Sequence, residues 1–271
     1  RTHNAEVEDK VGADAKFSDV FSDYNLNERL QLLGFGSRDA YLEAKETIRD
    51  KAKDMLQHFV QQVFPNGFKA QIVTCSKEAA HRYHEAVKEE VKNLVAELKT
   101  NNPNNINIEL LENMKAEVVV SSGHNDPPHI KALSDSSKNK EKIASFKIPF
   151  GKEKDGVKGD VGILIVCDML LTGFDAPIEQ VMYLDKVIVA HNLLQAIARV
   201  NRVDNDDKDV GFIVDYVGVG HHLKKALDIY FEKEQQEILS CITDPTELFK
   251  ELDTTYKEVW KLFKENGIED L

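Results

Sequence analysis

The chain has 271 residues, of which 42% are hydrophobic and 30% charged, and its formal net charge at pH 7 is −12. This composition is typical of a soluble protein with one large or two modest domains. No apolar run approaches the roughly 20 residues that a membrane-spanning helix needs, and we find no signal peptide. The acidic balance restricts any contact with nucleic acid to a local face, because the overall field repels phosphate.

The sequence opens at Arg1 without a methionine, so we expect it to be a piece of a longer protein. The cysteines are too few and too scattered for a disulfide framework or a Cys-x-x-Cys metal pair. We expect them to be buried thiols in a reducing cytoplasm. They are Cys75, Cys167 and Cys241.

A polar lead-in followed by a long linking helix is predicted for residues 1–63. From Arg38, apolar residues recur at spacings of three, four and seven, which indicates a helix buried on one side. The segment "FPNGF" then ends this helix, because Pro and Gly interrupt helical geometry. The buried stripe consists of Tyr41, Ile48, Ala52, Met55, Phe59 and Val63.

Strands alternating with helices are predicted for residues 64–219. The run "AQIVTC" precedes Ser76, a suitable N-cap for the amphipathic helix that follows. Continuous Val and Ile runs are typical of strands covered on both faces, and their alternation with helices is typical of a parallel sheet. We therefore predict one α/β domain here. Its further apolar runs lie at 116–122, 161–167, 179–184 and 210–216.

A helical extension is predicted for residues 220–271. Asp244 suits the N-cap of its last helix, Pro245 the first helical position and Glu247 the capping box. The Lys-rich segment 138–158 is expected to be a solvated insertion, with a binding site as the alternative.

The first candidate ligand-binding segment is "TGFDAP", which follows the apolar run "ILIVC". In open parallel sheets, ligands lie outside the carboxyl ends of the strands. Gly173 would let the backbone approach a ligand, and Asp175 could accept hydrogen bonds from ribose hydroxyls. The alternative is an ordinary turn that Asp175 caps.

The second candidate is the helix predicted in "HNLLQAIARVNRV". Gln195, Arg199 and Arg202 share one helical face at i, i+4 and i+7, while the rest of the helix is mostly apolar. Solvent could meet this polar face. A polyphosphate is the alternative, since the arginine guanidinium presents a fixed fork of donors that suits phosphate oxygens.

Together, "LLTGFDAP" and "QAIARVNR" resemble motifs V and VI of superfamily-two helicases and translocases. The closer resemblance is to the motor subunit (R, or HsdR) of type I restriction enzymes, in which "HNLLQAIARVNR" is followed by "VDY". "AQIVTCSKEAAHRYHEAV" resembles the motif IV region of the same family. Ala196 stands where many superfamily members have Arg, which agrees with the type I subgroup.

The resemblance implies an α/β fold with a RecA-like parallel sheet flanked by helices, the second motor lobe of an ATP-driven translocase of double-stranded DNA. It implies that Arg199 and Arg202 face the γ-phosphate as catalytic residues. Gly173, Asp175 and Gln195 would then lie beside the nucleotide, and Thr172 near the DNA backbone.

The sequence lacks a Walker loop, G-x-x-x-x-G-K-[S/T], which ATP hydrolysis of this kind requires. The resemblance places that loop, the Mg²⁺ ligands and a nuclease domain in a part of the parent chain that precedes Arg1. It also implies modification and specificity subunits as partners, in the cytoplasm of a bacterium or archaeon. We expect this chain alone to be inactive.

No metal site and no membrane contact are expected. "DNDDKD" (204–209) departs from the spacing of a calcium loop and is expected to be solvated. "HNDPPH" (124–129) could supply metal ligands, but its Pro pair indicates a loop. Two other functions remain open at this point: a related repair or remodelling motor, and a catalytically silent interaction module.

Overall fold

The computed structural model describes residues 41–171, 174–188, 193, 195, 196, 200, 208 and 210–217. The predicted C-terminal helical extension and the first 40 residues lie outside this described part. In chain order the described strands are β1 (Lys69–Thr74), β2 (Lys115–Val119), β3 (Glu153–Lys154), β4 (Val157–Lys158), β5 (Val161–Val166), β6 (Glu179–Asp185) and β7 (Phe212–Asp215).

A parallel sheet forms the centre of the fold, with the described strands in the order β2-β5-β1-β6-β7. All residues of β1, β5 and β6 are buried, while β7 is a half-exposed edge strand. Continuous apolar runs are buried in this way when helices cover both faces of a sheet. The arrangement confirms the predicted α/β class. β3 and β4 pair separately as an antiparallel hairpin.

The described helices flank this sheet. They are α1 (Lys45–His58), α2 (Lys77–Thr100), α3 (Ile108–Asn113), α4 (Pro128–Leu133) and α5 (Ser136–Lys147). The predicted N-cap of α2 is confirmed, because Ser76 Oγ accepts a hydrogen bond from Ala79 N. In the same way the Asp135 carboxylate caps α5 by accepting from Ser137 N and Lys138 N.

α1 contributes apolar side chains to the hydrophobic core beside the sheet. It continues through a π-helical turn (Phe59–Val63) and a 3₁₀ turn (Phe64–Asn66), and Gly67 ends it at φ 80°. The apolar stripe predicted from the sequence is buried except at Tyr41, which is half-buried. α1 packs against α2, and the π-helical turn packs against β1 and β6.

Part of the Lys-rich segment is packed into the protein, so the expectation of a solvated insertion is wrong for α5. Asn139, Ser145 and Phe146 on this helix are buried, whereas the β3–β4 hairpin is largely exposed. The small polar residues can be buried because they find backbone partners: Asn139 Nδ2 donates to Val120 O at 3.0 Å.

Lys69, at the start of β1, is fully buried beside α5. Its ammonium Nζ lies 2.6 Å from Ile148 O, 3.2 Å from Ser145 O and 3.4 Å from Gly159 O. It also lies 4.7 Å from the centre of the Phe150 ring. Burial lowers the pKa of Lys69 to about 7, although Asp160 opposes this shift.

No helix in the described ranges is both long enough and apolar enough to cross a membrane.

Candidate functional site at the carboxyl edge of the sheet

The topology predicts a crevice between β1 and β6. The connection after β1 runs to β2 on one side of the sheet, and the connection after β6 runs to β7 on the other. Ligands of open α/β sheets bind where neighbouring connections diverge in this way, outside the carboxyl ends of the strands. The segments after β1, β5 and β6 therefore form the candidate site.

Asp185 ends β6 at this edge and is fully buried. Lys51 Nζ lies 2.5 Å from Asp185 Oδ1, and the Tyr83 hydroxyl donates to Oδ2 at 2.8 Å. Burial, together with the neighbouring Asp185 carboxylate, raises the pKa of Tyr83 well above its usual value. The phenol therefore stays protonated and holds one carboxylate oxygen while the ammonium holds the other.

Two further polar contacts fasten α1 to the strands beside this crevice. His58 Nδ1 lies 2.8 Å from the Tyr183 hydroxyl, and the Tyr216 hydroxyl donates to Asp54. Burial lowers the pKa of His58, so the ring is neutral near pH 7. One face of α1 is thus polar and bonded to β6 and to the end of β7.

At the end of β5, Cys167 Sγ donates to Asp168 at 3.2 Å, and Asp168 pairs with Lys186. The hydrogen bond from Lys186 lowers the pKa of Asp168. Burial raises the pKa of Cys167 to about 11, so its thiol is protonated at neutral pH and is a poor nucleophile.

After β2, Asp126 accepts hydrogen bonds from Lys77 Nζ at 2.8 Å and from Gly123 N at 2.7 Å. The bond from Lys77 lowers the pKa of Asp126. A Cβ at Gly123 would lie 2.8 Å from Asp126 Oδ1, so a larger residue here would displace the Asp126 carboxylate from its hydrogen bonds. Lysine–aspartate pairs thus lie beside the ends of β2, β5 and β6, and their charges largely cancel.

In the described part of the chain, no group of three or more His, Cys, Asp and Glu residues could hold a metal ion.

The predicted ligand loop after β5 is described at its ends. Leu170 has φ 65°, a left-handed conformation that costs a non-glycine residue about 1–3 kcal/mol and is found at ligand loops. Asp175 is exposed between the buried Phe174 and Ala176. Thr172 and Gly173 lie outside the described residues.

The predicted polar helix after β6 is described at four positions. Leu193, Ala196 and Val200 are buried, and Gln195 is half-buried in the same helical segment. Arg199 and Arg202 lie outside the described residues. The fold thus brings Asp175 and Gln195 onto the connections that follow β5 and β6, the two strands that flank β1.

Lys208 contradicts the expectation that residues 204–209 form a solvated loop. It is only 3% exposed, and its Nζ donates to Glu179 O at 2.5 Å and to Pro177 O at 3.0 Å. A count of charged residues could not reveal this, because the partners are backbone carbonyls distant in sequence. Sequence reasoning also missed Asp185; the available signal was an acidic residue directly after a buried strand.

Comparison with known proteins identifies the family of this fold. The family model for domain 3 of the type I restriction enzyme subunit R matches residues 66–218, which hold every strand of the sheet.

Curated relatives agree with this match. The MjaIXP type I restriction endonuclease subunit of Methanocaldococcus jannaschii is 31% identical over 243 residues, covering 87% of this chain and 20% of the relative. The HindI endonuclease subunit of Haemophilus influenzae is 34% identical over 197 residues, covering 71% of this chain and 17% of the relative. The chain thus spans about a fifth of the length of these proteins.

Among solved structures, a fragment of an HsdR subunit of a type I restriction enzyme from Vibrio vulnificus YJ016 is similar, with a TM-score of 0.44 and 18% identity. The likeness covers 69% of this chain and 30% of that one. The family model and the curated relatives establish the family without this structure: the chain belongs to the R subunits of type I restriction enzymes.

Proposed function

We propose that this chain is the second RecA-like lobe of an ATP-driven translocase of double-stranded DNA in a type I restriction endonuclease. It would supply the motif V and motif VI half of the ATPase site. The observation that carries this proposal is the burial pattern after β6, where Leu193, Ala196 and Val200 are buried while Gln195 is half-buried. If the helical period continues, Arg199 and Arg202 would share the side of Gln195, as their spacing in the sequence predicts.

Two guanidinium groups on one helical face suit the chemistry of phosphoryl transfer. Negative charge is spread over the γ-phosphate oxygens in the transition state, and a planar fork of donors stabilises it. In this proposal Arg199 and Arg202 are the catalytic residues of the lobe.

The remaining predicted residues would bind and orient the nucleotide and the DNA. Asp175 is exposed and Gln195 is half-buried, so both residues are accessible to a ligand. Gly173, Asp175 and Gln195 would contact the nucleotide, and Thr172 the DNA backbone. ATP would bind with Mg²⁺, whose ligands belong to the first RecA-like lobe.

The partners follow from the same proposal. They are the first RecA-like lobe and the nuclease domain of the parent chain, the modification and specificity subunits, and double-stranded DNA. The complex would act in the cytoplasm of a bacterium or archaeon.

The family match favours this function over a repair or remodelling motor. A catalytically silent interaction module is separated from it by experiment. In the complete R subunit assembled with its partner subunits, DNA-stimulated ATP hydrolysis and translocation are measured for Arg202→Ala. The control is Arg49→Ala, an equal loss of charge at an exposed position on α1. Wild-type ATP hydrolysis by Arg202→Ala would exclude the motor function.

A further inference from the structure

We propose that Lys208 is a positioning residue that holds the arginine-bearing segment against the segment that carries Asp175. The inference rests on the proposed function and deepens it, because it names a residue that acts on the site from outside. Its basis is one buried ammonium, 3% exposed, that donates to the carbonyls of Pro177 and Glu179.

The contact joins two segments that are distant in the sequence. Pro177 lies two residues after Asp175, on the connection from β5 to β6. Lys208 lies six residues after Arg202, on the connection from β6 to β7. Both connections return to the amino edge of the sheet, and Lys208 joins them there.

A second contact supports the same junction. Gln180, buried at the start of β6, donates from Nε2 to Val210 O at 3.3 Å. Lys208 and Val210 are thus both hydrogen-bonded to the start of β6, at Glu179 and Gln180 respectively. These hydrogen bonds hold the C-terminal end of the arginine-bearing segment against the C-terminal end of the segment that carries Asp175.

The other end of the arginine-bearing segment is also fixed by buried charge. It leaves the sheet at Asp185, whose carboxylate is held by Lys51 and Tyr83. Asp185 and Lys208 are thus buried residues on either side of the arginine-bearing segment in the sequence. A displacement of about 1 Å at a catalytic group can cost about a hundredfold in rate, so such anchors act on turnover as well as on folding.

The chain provides a matched control in Lys69. It is also a buried lysine at the amino edge whose ammonium meets backbone carbonyls. Its partners are Ser145, Ile148 and Gly159, which lie in α5 and in the segment before β5. The backbone N–H of Lys69 donates to Ile178 O, a bond that a side-chain substitution leaves in place. The described hydrogen bonds of its ammonium go to neither Pro177 nor Glu179, so loss of the ammonium reports the structural cost of losing a buried lysine.

The test compares Lys208→Met with Lys69→Met in the complete R subunit, assembled with its partner subunits and with saturating DNA. Melting temperature, kcat and KM for ATP are measured for both variants, well below the lower melting temperature. We expect both to melt earlier than wild type. Lys208→Met should lower kcat by about tenfold to a hundredfold with KM for ATP within about threefold, and Lys69→Met should keep kcat within about twofold.

A kcat of Lys208→Met equal to that of Lys69→Met overturns the inference. If Lys208→Met does not fold, the matched pair Lys208→Gln and Lys69→Gln is compared by the same criterion. Arg202→Ala in the same assay separates the two proposals. If Arg202→Ala is inactive while Lys208→Met has wild-type kcat, only the positioning role fails. If Arg202→Ala has wild-type kcat, the proposed function itself fails.

Discussion

Lys51 and Asp185 form a buried ion pair that joins α1 to the carboxyl end of β6, with Nζ 2.5 Å from Oδ1. The carboxylate is fully buried and the lysine side chain is 11% exposed. Two charges removed from water in this way are stable only while each satisfies the other. The pair therefore makes the position of α1 and that of the crevice depend on each other.

Asp185→Ala is expected to destabilise the fold by about 3–5 kcal/mol, because it leaves the Lys51 ammonium buried and uncompensated. It also removes the acceptor of the Tyr83 hydroxyl. Urea unfolding measures the change. The control is Glu112→Ala, which breaks the exposed pair with Lys99 and should cost less than about 1 kcal/mol. Equal losses in the two variants would contradict the account of Asp185.

The stability of wild type relative to Lys69→Met is expected to rise with pH above about 7. Burial lowers the pKa of Lys69 to about 7. Between that value and the ordinary lysine pKa, the unfolded chain binds a proton that the folded chain does not. The free energy of unfolding then increases with pH, by about 1.4 kcal/mol per unit at most, and this gain is lost as pH falls to 7.

Urea unfolding of both chains at pH 7, 8 and 9 checks this expectation. The window stays below the titration of the tyrosines, and the difference between the two chains removes contributions that they share. Parallel stability curves would mean that the three carbonyls and the Phe150 ring keep Lys69 charged throughout.

Arg202→Ala in the complete motor is expected to lower ATP turnover by about 10³–10⁵, equivalent to roughly 4–7 kcal/mol of barrier. Arg202→Lys should also fail, because an ammonium does not reproduce the planar fork of donors. Arg199→Ala should behave similarly and weaken nucleotide binding as well, since it lies one turn earlier. Steady-state ATPase assays on assembled complexes measure these effects, and unchanged DNA binding shows that assembly is intact.

The 271-residue chain by itself is expected to fold without hydrolysing ATP, because it lacks a phosphate cradle. Circular dichroism checks the fold, and phosphate release with and without DNA checks the activity. DNA-stimulated release above the buffer blank would contradict the assignment of two lobes to one ATPase site.

The fold was predictable because its sheet is buried on both faces. The runs at 70–75, 116–122, 161–167, 179–184 and 210–216 each overlap a strand of the sheet, with ends displaced by at most three residues. Strand order was not predictable, because it depends on pairings between distant segments. The packing of α5 was missed because lysines dominate its composition while its buried residues are few and small.

Residues of the candidate site could be proposed from the sequence only where a side chain's type suggests its chemistry. Asp175 and Gln195 were proposed in this way and stay predictions; they lie on the connections that follow β5 and β6. Lys208 and Asp185 were not, because their partners are a pair of carbonyls and two side chains from helices far away in the sequence. Buried charges of this kind are defined by tertiary contacts alone.

The central place of β1 governs how this lobe can form during synthesis. The neighbouring strand β6 and the anchor of α1 at Asp185 are synthesised late, because Lys51 and Asp185 are 134 positions apart in the sequence. At roughly 5–20 residues per second, α1 therefore waits about 7–27 s for its partner strand. During that interval α1 can already pack against α2, but the edge of β1 that β6 later covers remains open. We therefore expect a nascent chain stalled before Asp185 to expose an unpaired strand edge, and the sheet to be completed only after β6 has been synthesised.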